Sequence, residues 1–454
     1  MHVIGTSGHV DHGKSSLVSI LTGIDPDRLN EEKSRGMTID LGFSWLKLSN
    51  GNEVSIVDVP GHQKFIDNMV AGIGCIDLAV LVVAADESVM PQTIEHISIL
   101  DLLQVKLGII VITKTDLADK NWLELVQGDI LDVTKGTFLE KAPIVQVSSH
   151  NLDGINLLKS IIEEELSKVE PITNLDRPRV FIDRSFSMSG FGAVVTGTLV
   201  DGDIKIGDVV NFVSSGLTAR IRGIQTHKKS LQIASPGTRV AINLSGISHN
   251  QINQRGEVLV VGDWLVSTIA VDVKLYALFN ISKPLKHNMF INFHSGTFEI
   301  IGKLRLLSAD SIMPGESSFA QIKFDKPVAL VRGDKFIIRS NQITLGGGQV
   351  LEVNVPRHKK NDLKVSDRLS ILESGSDNEI VSEFIQSNEP IKFDELKNLT
   401  GLSNINFILN ELIIDKKIIN IDGYHFTTSL WKYLVEKTND YLSLMHKKYP
   451  LRDG

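Results

Sequence analysis

The sequence predicts a multidomain chain: an α/β domain, then two β-barrels, then an α-rich winged helix. Three observations predict it. Strand and helix patterns alternate to about residue 172; short Val-, Ile- and Thr-rich runs broken by turn pairs continue to Val355; and three helical patterns with a hairpin follow a basic linker. The expected divisions are 1–172, 173–262, 263–356, a linker over 357–375, and 376–454, the last including the opening of a further repeat.

In the first domain the apolar runs Val54–Val57, Leu78–Ala84, Leu107–Ile112 and Ile144–Val147 alternate with amphipathic stretches, the pattern of a parallel sheet with crossover helices. After Pro171 the pairs Asp201-Gly202, Gly207-Asp208 and Pro236-Gly237 punctuate short strands, and the length suffices for two barrels joined near Val261–Ser267. Beyond Arg357-His358-Lys359-Lys360, helical patterns near 378–388, 392–400 and 403–415 precede a hairpin, Lys417–Phe426, that turns on Asp422-Gly423. A last helix runs from about residue 429.

Leu78–Ala85 is far short of the roughly 20 apolar residues a membrane span needs, and no signal peptide precedes the first strand. A cytoplasmic, monomeric protein with no membrane partner is expected. The single Cys75 reads as a core position. Charge is uneven: residues 1–173 carry 13 Lys+Arg against 25 Asp+Glu, whereas 174–356 carry 20 against 14. The basic middle suits contact with RNA phosphates, with Arg220, Arg222, Lys228 and Lys229 as candidates.

The first strand runs into Gly8-His9-Val10-Asp11-His12-Gly13-Lys14-Ser15, followed by Ser16, which matches the P-loop pattern between a strand and a helix. Its backbone N–H groups and helix N-terminus cradle phosphate, Lys14 adds a cation, and the Ser15 hydroxyl can bind Mg²⁺. Three further motifs follow in order. Arg35-Gly36-Met37-Thr38 offers a second hydroxyl to the metal when a γ-phosphate is present, which makes it a switch. Asp58-Val59-Pro60-Gly61-His62 puts Asp58 near the metal's water shell, the Gly61 N–H at the γ-phosphate, and His62 beside the attacking water as the candidate catalytic residue. Thr113-Lys114-Thr115-Asp116 supplies a carboxylate that pairs with guanine N1–H and its 2-amino group; Lys114 lies over the base, and Ser148-Ser149 contact the guanine oxygen. The first domain therefore reads as a P-loop GTPase domain for GTP and GDP with Mg²⁺.

Gly8 to Lys14 (GHVDHGK), Asp58 to His62 (DVPGH) and the barrels that follow resemble the translational GTPases, elongation factor Tu being the nearest common relative. Arg35 to Phe43 (RGMTIDLGF), Ile182 to Phe186 (IDRSF), Gly190 to Thr198 (GFGAVVTGT) and Leu345 to Val355 (LGGGQVLEVNV) resemble, more specifically, the selenocysteine-specific elongation factors. The resemblance covers nearly all of 1–356. It implies Mg²⁺ ligands at Ser15 and Thr38, a catalytic histidine at His62, and an apolar gate of Val10 and Met37 around it. Thr113, where the wider family has Asn, is similar to this subfamily.

A selenol is largely anionic at neutral pH, so a pocket for it should present cations that a neutral side chain would leave unpaired. Arg184, beside Asp183, and Arg239 lie in segments resembling the family's aminoacyl pocket; the alternative for them is a salt bridge within the barrel. The resemblance implies selenocysteinyl-tRNA and the ribosome as partners, with GTP hydrolysed slowly by the protein alone. It also implies a hairpin in selenoprotein mRNA, which the family grips with the last of four winged helices. This chain supplies one and reads as C-terminally shortened, so that contact stays open. Other readings are a carrier of ordinary aminoacyl-tRNAs like elongation factor Tu, a carrier of the initiation type, and a non-catalytic RNA-binding scaffold.

Overall fold

Apolar runs flanked by turn residues form the strands of the first domain in the computed structural model, which describes residues 2–449 apart from 27–37, 39, 63–68, 70–75, 172, 189–191, 253–255 and 341. They are β1 (Val3–Ser7), β2 (Gly42–Lys47), β3 (Glu53–Asp58), β4 (Leu78–Ala84), β5 (Leu107–Thr113) and β6 (Ile144–Gln146). The sheet order is β2-β3-β1-β4-β5-β6, with β2 antiparallel to β3 and the other pairs parallel. Helices α1 (Lys14–Thr22) and α4 (Ile155–Ser167) cover one face through Leu17, Val18, Leu158 and Ile162. The other face is covered by α2 (Pro91–Leu102) and α3 (Lys120–Thr134), through Ile97, Val126 and Ile130. All seven residues of β4 are buried, as a central strand covered on both faces requires. The loops leaving the carboxyl ends of β1, β3, β5 and β6 meet along one edge, the usual ligand crevice of an open α/β sheet.

The first barrel uses β7 (Arg179–Met188), β8 (Gly192–Asp201), β9 (Ile204–Lys205), β10 (Val209–Phe212), β11 (Thr218–Thr226), β12 (Lys229–Leu231), β13 (Ile233–Ala234), β14 (Thr238–Ser245) and β15 (Val258–Val261). Its main sheet closes because β10 pairs with both β15 and β11, and the alternating inward residues Val180, Ile182, Val240 and Ile242 fill it. The second barrel is built from β16 (Thr268–Ala277), β17 (Leu285–Lys286), β18 (Phe290–Ser295), β19 (Phe298–Leu306), β20 (Ser311–Ile312), β21 (Ser317–Val328), β22 (Lys335–Ser340) and β23 (Ile343–Val353). It closes in the order β16-β21-β19-β18-β22-β23 around Phe293, which stacks on Phe336 at 4.9 Å. The glycine run in β23 reflects close strand approach: a Cβ on Gly348 would come 1.9 Å from the Lys274 carbonyl oxygen.

The segment read as a linker is mostly helix. Leu363–Ser374 forms α5, whose Leu369 and Leu372 share a core with Leu307 and Leu351 of the second barrel. Its apolar positions are few, so the sequence pattern is faint, and the barrel surface supplies what the helix lacks. The winged helix follows as α6 (Asp377–Asn388), β24 (Ile391–Lys392), α7 (Phe393–Thr400), α8 (Ile405–Ile414), β25 (Ile418–Ile421) and β26 (Tyr424–Thr427). Ser376 and Glu379 form a capping box on α6, and Asp422 (φ 51°) with Gly423 (φ 81°) turns the hairpin. Arg332 donates to the carbonyls of Thr400 at 3.0 Å and Leu372 at 2.9 Å, and Arg177 to that of Asn398 at 3.0 Å, so arginines of both barrel regions grip the helical domain. The last helix, α9 (Thr428–Lys448), has 21 residues and buries none of them. No described helix is long and apolar enough to cross a membrane.

Candidate functional site

The loop between β1 and α1 has a geometry that its glycines dictate. Gly8 has φ +129° and lies so close to β4 that a Cβ would meet the Val82 carbonyl oxygen at 2.1 Å; Gly13, at φ +82°, turns the chain into α1. Asp11 is exposed at φ 60°, and Ser16 is exposed on the first turn of α1. Lys14 is buried, its Nζ donating to the carbonyls of Gly8 at 3.1 Å and His9 at 2.5 Å, which aims the ammonium into the loop. Gly61 packs directly on this cradle. A Cβ there would stand 2.4 Å from Lys14 Nζ and 2.8 Å from the Val10 N, so only glycine lets that backbone approach a phosphate held by the loop.

Three oxygen donors from separate segments converge beside it. Ser15 Oγ lies 2.8 Å from Thr38 Oγ1 and donates to Asp58 Oδ2 at 2.7 Å. Thr6 Oγ1 donates to Asp58 Oδ1 at 2.6 Å and accepts the Val59 N–H at 3.2 Å, fixing the carboxylate. Two hydroxyls and a carboxylate are the hard ligands that Mg²⁺ prefers, and the cluster fits that ion. His62 follows Gly61, half-buried and close enough for its charge to act on His9. Cys75, residues 35–37 of the Arg35–Thr38 motif (Met37 among them) and the first two residues of the Gly190–Thr198 motif lie outside the described residues; of the apolar gate, only Val10 is placed.

At the carboxyl end of β5, Thr113 Oγ1 donates to the His12 carbonyl at 2.7 Å. Lys114, at φ 55°, pairs with Asp86 at 2.9 Å, and Ser148 Oγ donates to Asp116 Oδ1 at 2.5 Å. That hydrogen bond holds the Asp116 carboxyl below its ordinary range, so it stays an acceptor for N–H groups. Ser149 stands in the turn that follows.

Four contributors escape a reading by motif. Besides Thr6 and Asp86, helix α2 supplies Gln92, which accepts the Val10 N–H at 3.4 Å, and His96, whose Nδ1 accepts the Gly8 N–H at 3.0 Å. Their i, i+4 spacing on α2 was the available signal. Burial pushes the His96 imidazole down to about 3 and that of His12 to about 4, so both are neutral. A neutral His96 accepting at Nδ1 carries its proton on Nε2.

Family models cover most of the chain: the elongation factor Tu GTP binding domain over residues 1–168, elongation factor Tu domain 2 over 192–260, and the β-barrel domain of the selenocysteine-specific elongation factor over 272–357. The selenocysteine-specific elongation factor of Haemophilus influenzae is 33% identical over 451 residues, 98% of this chain and 70% of that protein. The chain belongs to the selenocysteine-specific elongation factor family. That of Desulfomicrobium baculatum is 42% identical over 363 residues, 79% of this chain and 57% of that protein. The chain thus spans 57% to 70% of the length of these relatives. A crystal structure of the bacterial selenocysteine-specific elongation factor EF-Sec superposes with a TM-score of 0.84 at 29% identity, over 99% of this chain and 74% of that one.

Against this selenocysteine-specific elongation factor frame, the arginines expected of an aminoacyl pocket lie where the first barrel meets β2. A register shift between Ile182 and Arg184 breaks the strand alternation at Asp183. Asp183 accepts from Arg239 at 2.8 Å and from Thr196 Oγ1 at 2.6 Å, so the ion pair within the barrel is present. Arg184 instead crosses to the first domain and donates to Asp40 at 2.6 Å and to the Leu41 carbonyl at 2.8 Å. Both guanidiniums lie over the Phe43 ring, Arg239 at 3.4 Å and Arg184 at 5.4 Å. A cleft of about 220 Å³ opens beside Arg239, lined also by Phe43, Trp45, Thr196, His227 and Lys228; Arg184 is not part of its lining. Of the basic residues set aside for RNA, Lys229 pairs with Glu53 at 2.6 Å and Arg220 donates to the Gly207 carbonyl at 2.9 Å.

Proposed function

We propose that this protein is a GTP-dependent carrier of selenocysteinyl-tRNA that delivers its cargo to the ribosome and hydrolyses GTP on delivery, as a cytoplasmic monomer. The observation that carries the reading is the Ser15, Thr38 and Asp58 cluster. Its members come from the phosphate loop, the switch segment and the end of β3, so a γ-phosphate and its metal would join all three.

Bound Mg²⁺ would lie between Ser15, Thr38 and, through water, Asp58, and would supply charge to the phosphate oxygens. Lys14 and the loop N–H groups bind the phosphates, Gly61 meets the γ-phosphate, and Asp116, Ser148, Ser149, Lys114 and Thr113 hold guanine. His62 orients the attacking water, because phosphoryl transfer asks chiefly for positioning and electrostatic stabilisation. Arg184 and Arg239, with Asp183 as counter-charge, favour a selenolate over a hydroxyl.

The test is competition between selenocysteinyl-tRNA and its seryl precursor on the same tRNA body, with the protein loaded with a non-hydrolysable GTP analogue and Arg239→Ala alongside. Preference for the selenocysteinyl form that the substitution erases is the expected outcome; equal binding of both forms by the unsubstituted protein would sink the reading.

A further inference from the structure

The segment from Thr38 to Phe43 touches the nucleotide cluster twice within five residues. Thr38 Oγ1 sits on Ser15 Oγ at 2.8 Å, and Gly42 is paired across the sheet with Asp58. Asp40 lies midway between these anchors. Its Oδ1 accepts the Leu41 N–H at 2.9 Å, which fixes the carboxylate locally, and its Oδ2 takes the Arg184 guanidinium at 2.6 Å. Leu41 adds its carbonyl at 2.8 Å, and Phe43 places its ring under both Arg184 and Arg239. Arg184 belongs to the other domain, and both members of the pair are about a third exposed, so the contact can break without stranding a buried charge.

Two guanidiniums sharing one ring repel each other. Asp183 offsets Arg239 from within the barrel and so stays with it whatever the nucleotide. Arg184 is offset by a carboxylate on the switch segment, which stays in place only while that segment does. We propose that Asp40 is a positioning residue that makes the preference for an anionic aminoacyl group depend on the bound nucleotide. With Thr38 and Gly42 seated, Asp40 and the Leu41 carbonyl hold Arg184 beside Arg239, and the pair is preorganised for a selenolate. When the segment leaves Ser15, Arg184 loses both anchors and the preference with them. The inference rests on the proposed carrier function and names how its pocket is regulated.

Four dissociation constants test it on the full chain: selenocysteinyl-tRNA and seryl-tRNA of one tRNA body, each with a non-hydrolysable GTP analogue and with GDP. The quantity read is the selenocysteinyl-over-seryl preference with the analogue divided by that with GDP. Asp40→Ala is expected to lower this ratio about tenfold, the ordinary size of a coupling between sites. Asp40→Glu should restore part of it, and Asp40→Ala should add nothing to Arg184→Ala. Asp40→Asn keeps the acceptor for the Leu41 N–H and serves if the alanine variant misfolds, which would be seen as seryl-tRNA binding lost in parallel. A ratio unchanged in both Asp40→Ala and Asp40→Asn overturns the inference, as does equal preference with either nucleotide in the unsubstituted protein. Absence of any selenocysteinyl preference with either nucleotide would instead remove the carrier reading, and this inference with it.

Discussion

Thr113 Oγ1 donates to the His12 carbonyl oxygen at 2.7 Å, joining the end of β5, where the guanine base is proposed to sit, to the loop between β1 and α1 proposed to hold the phosphates. The bond is buried and spans 101 residues of sequence, so neither partner has a water molecule ready to replace the other.

Thr113→Val should therefore leave the His12 carbonyl short of a donor and weaken GTP and GDP alike. A cost of about 1 kcal/mol, roughly fivefold in affinity, is expected. Thr113→Asn keeps a donor and should lose less. Titration calorimetry with each nucleotide checks both, and equal losses in the two variants would contradict the role assigned to the hydroxyl.

His96 and His12 give the fold an acid sensitivity. Each is held in the folded chain near 3 and near 4 respectively, against about 6.5 when unfolded, so lowering the pH protonates the unfolded chain first. Their contribution is intact above about pH 6.5 and declines as pH falls toward 4, by on the order of 1 kcal/mol per histidine at about pH 5.5. His96→Gln retains an acceptor for the Gly8 N–H and should flatten the decline by about one histidine's share. Denaturant midpoints at neutral and acidic pH read this directly.

Thr38 reaches Ser15 and the proposed metal site from the segment before β2, whereas Ser15 reaches it from the first turn of α1. Thr38→Ala should accordingly cut the preference for a GTP analogue over GDP by about tenfold. Ser15→Ala and chelation of Mg²⁺ should weaken both nucleotides. Displacement of a fluorescent nucleotide, with and without chelator, separates the two patterns.

Arg332 spans the junction of the second barrel and the winged helix with two bonds to backbone carbonyls. Replacing it with methionine keeps most of the stem and removes the donors, at a cost of about 2 kcal/mol to the docked arrangement. Limited proteolysis should then cleave first between residues 357 and 376. Cleavage at the same rate as in the unsubstituted protein would show that the apolar contacts of Leu369 and Leu372 suffice.

The residues proposed to hold nucleotide were legible because phosphate and guanine recognition demand fixed residue types at strand ends, and such demands survive as short motifs. Supporting residues were harder to see. His96 looks like one polar interruption on a helix that also buries Ile97, Ile99 and Leu100, and its meaning emerges only when α2 is laid against Gly8. Arg184 was legible as a cation but not as a partner of Asp40, since 144 residues separate them and the bulge at Asp183 decides which way each side chain turns. The helix at Leu363–Ser374 was missed for a different reason: its burial comes from a neighbouring barrel, not from a strong periodicity of its own.

The exposed final helix sets a distance. Twenty-one residues of α-helix form a rod about 31 Å long, and it starts immediately after the wing. A label at Lys448 is therefore held away from the barrels by a stiff spacer, not by a tether whose reach would fluctuate. Energy transfer between that label and one on the second barrel would report a single narrow separation, and its width would measure how firmly the rod is rooted at Thr427 and Thr428.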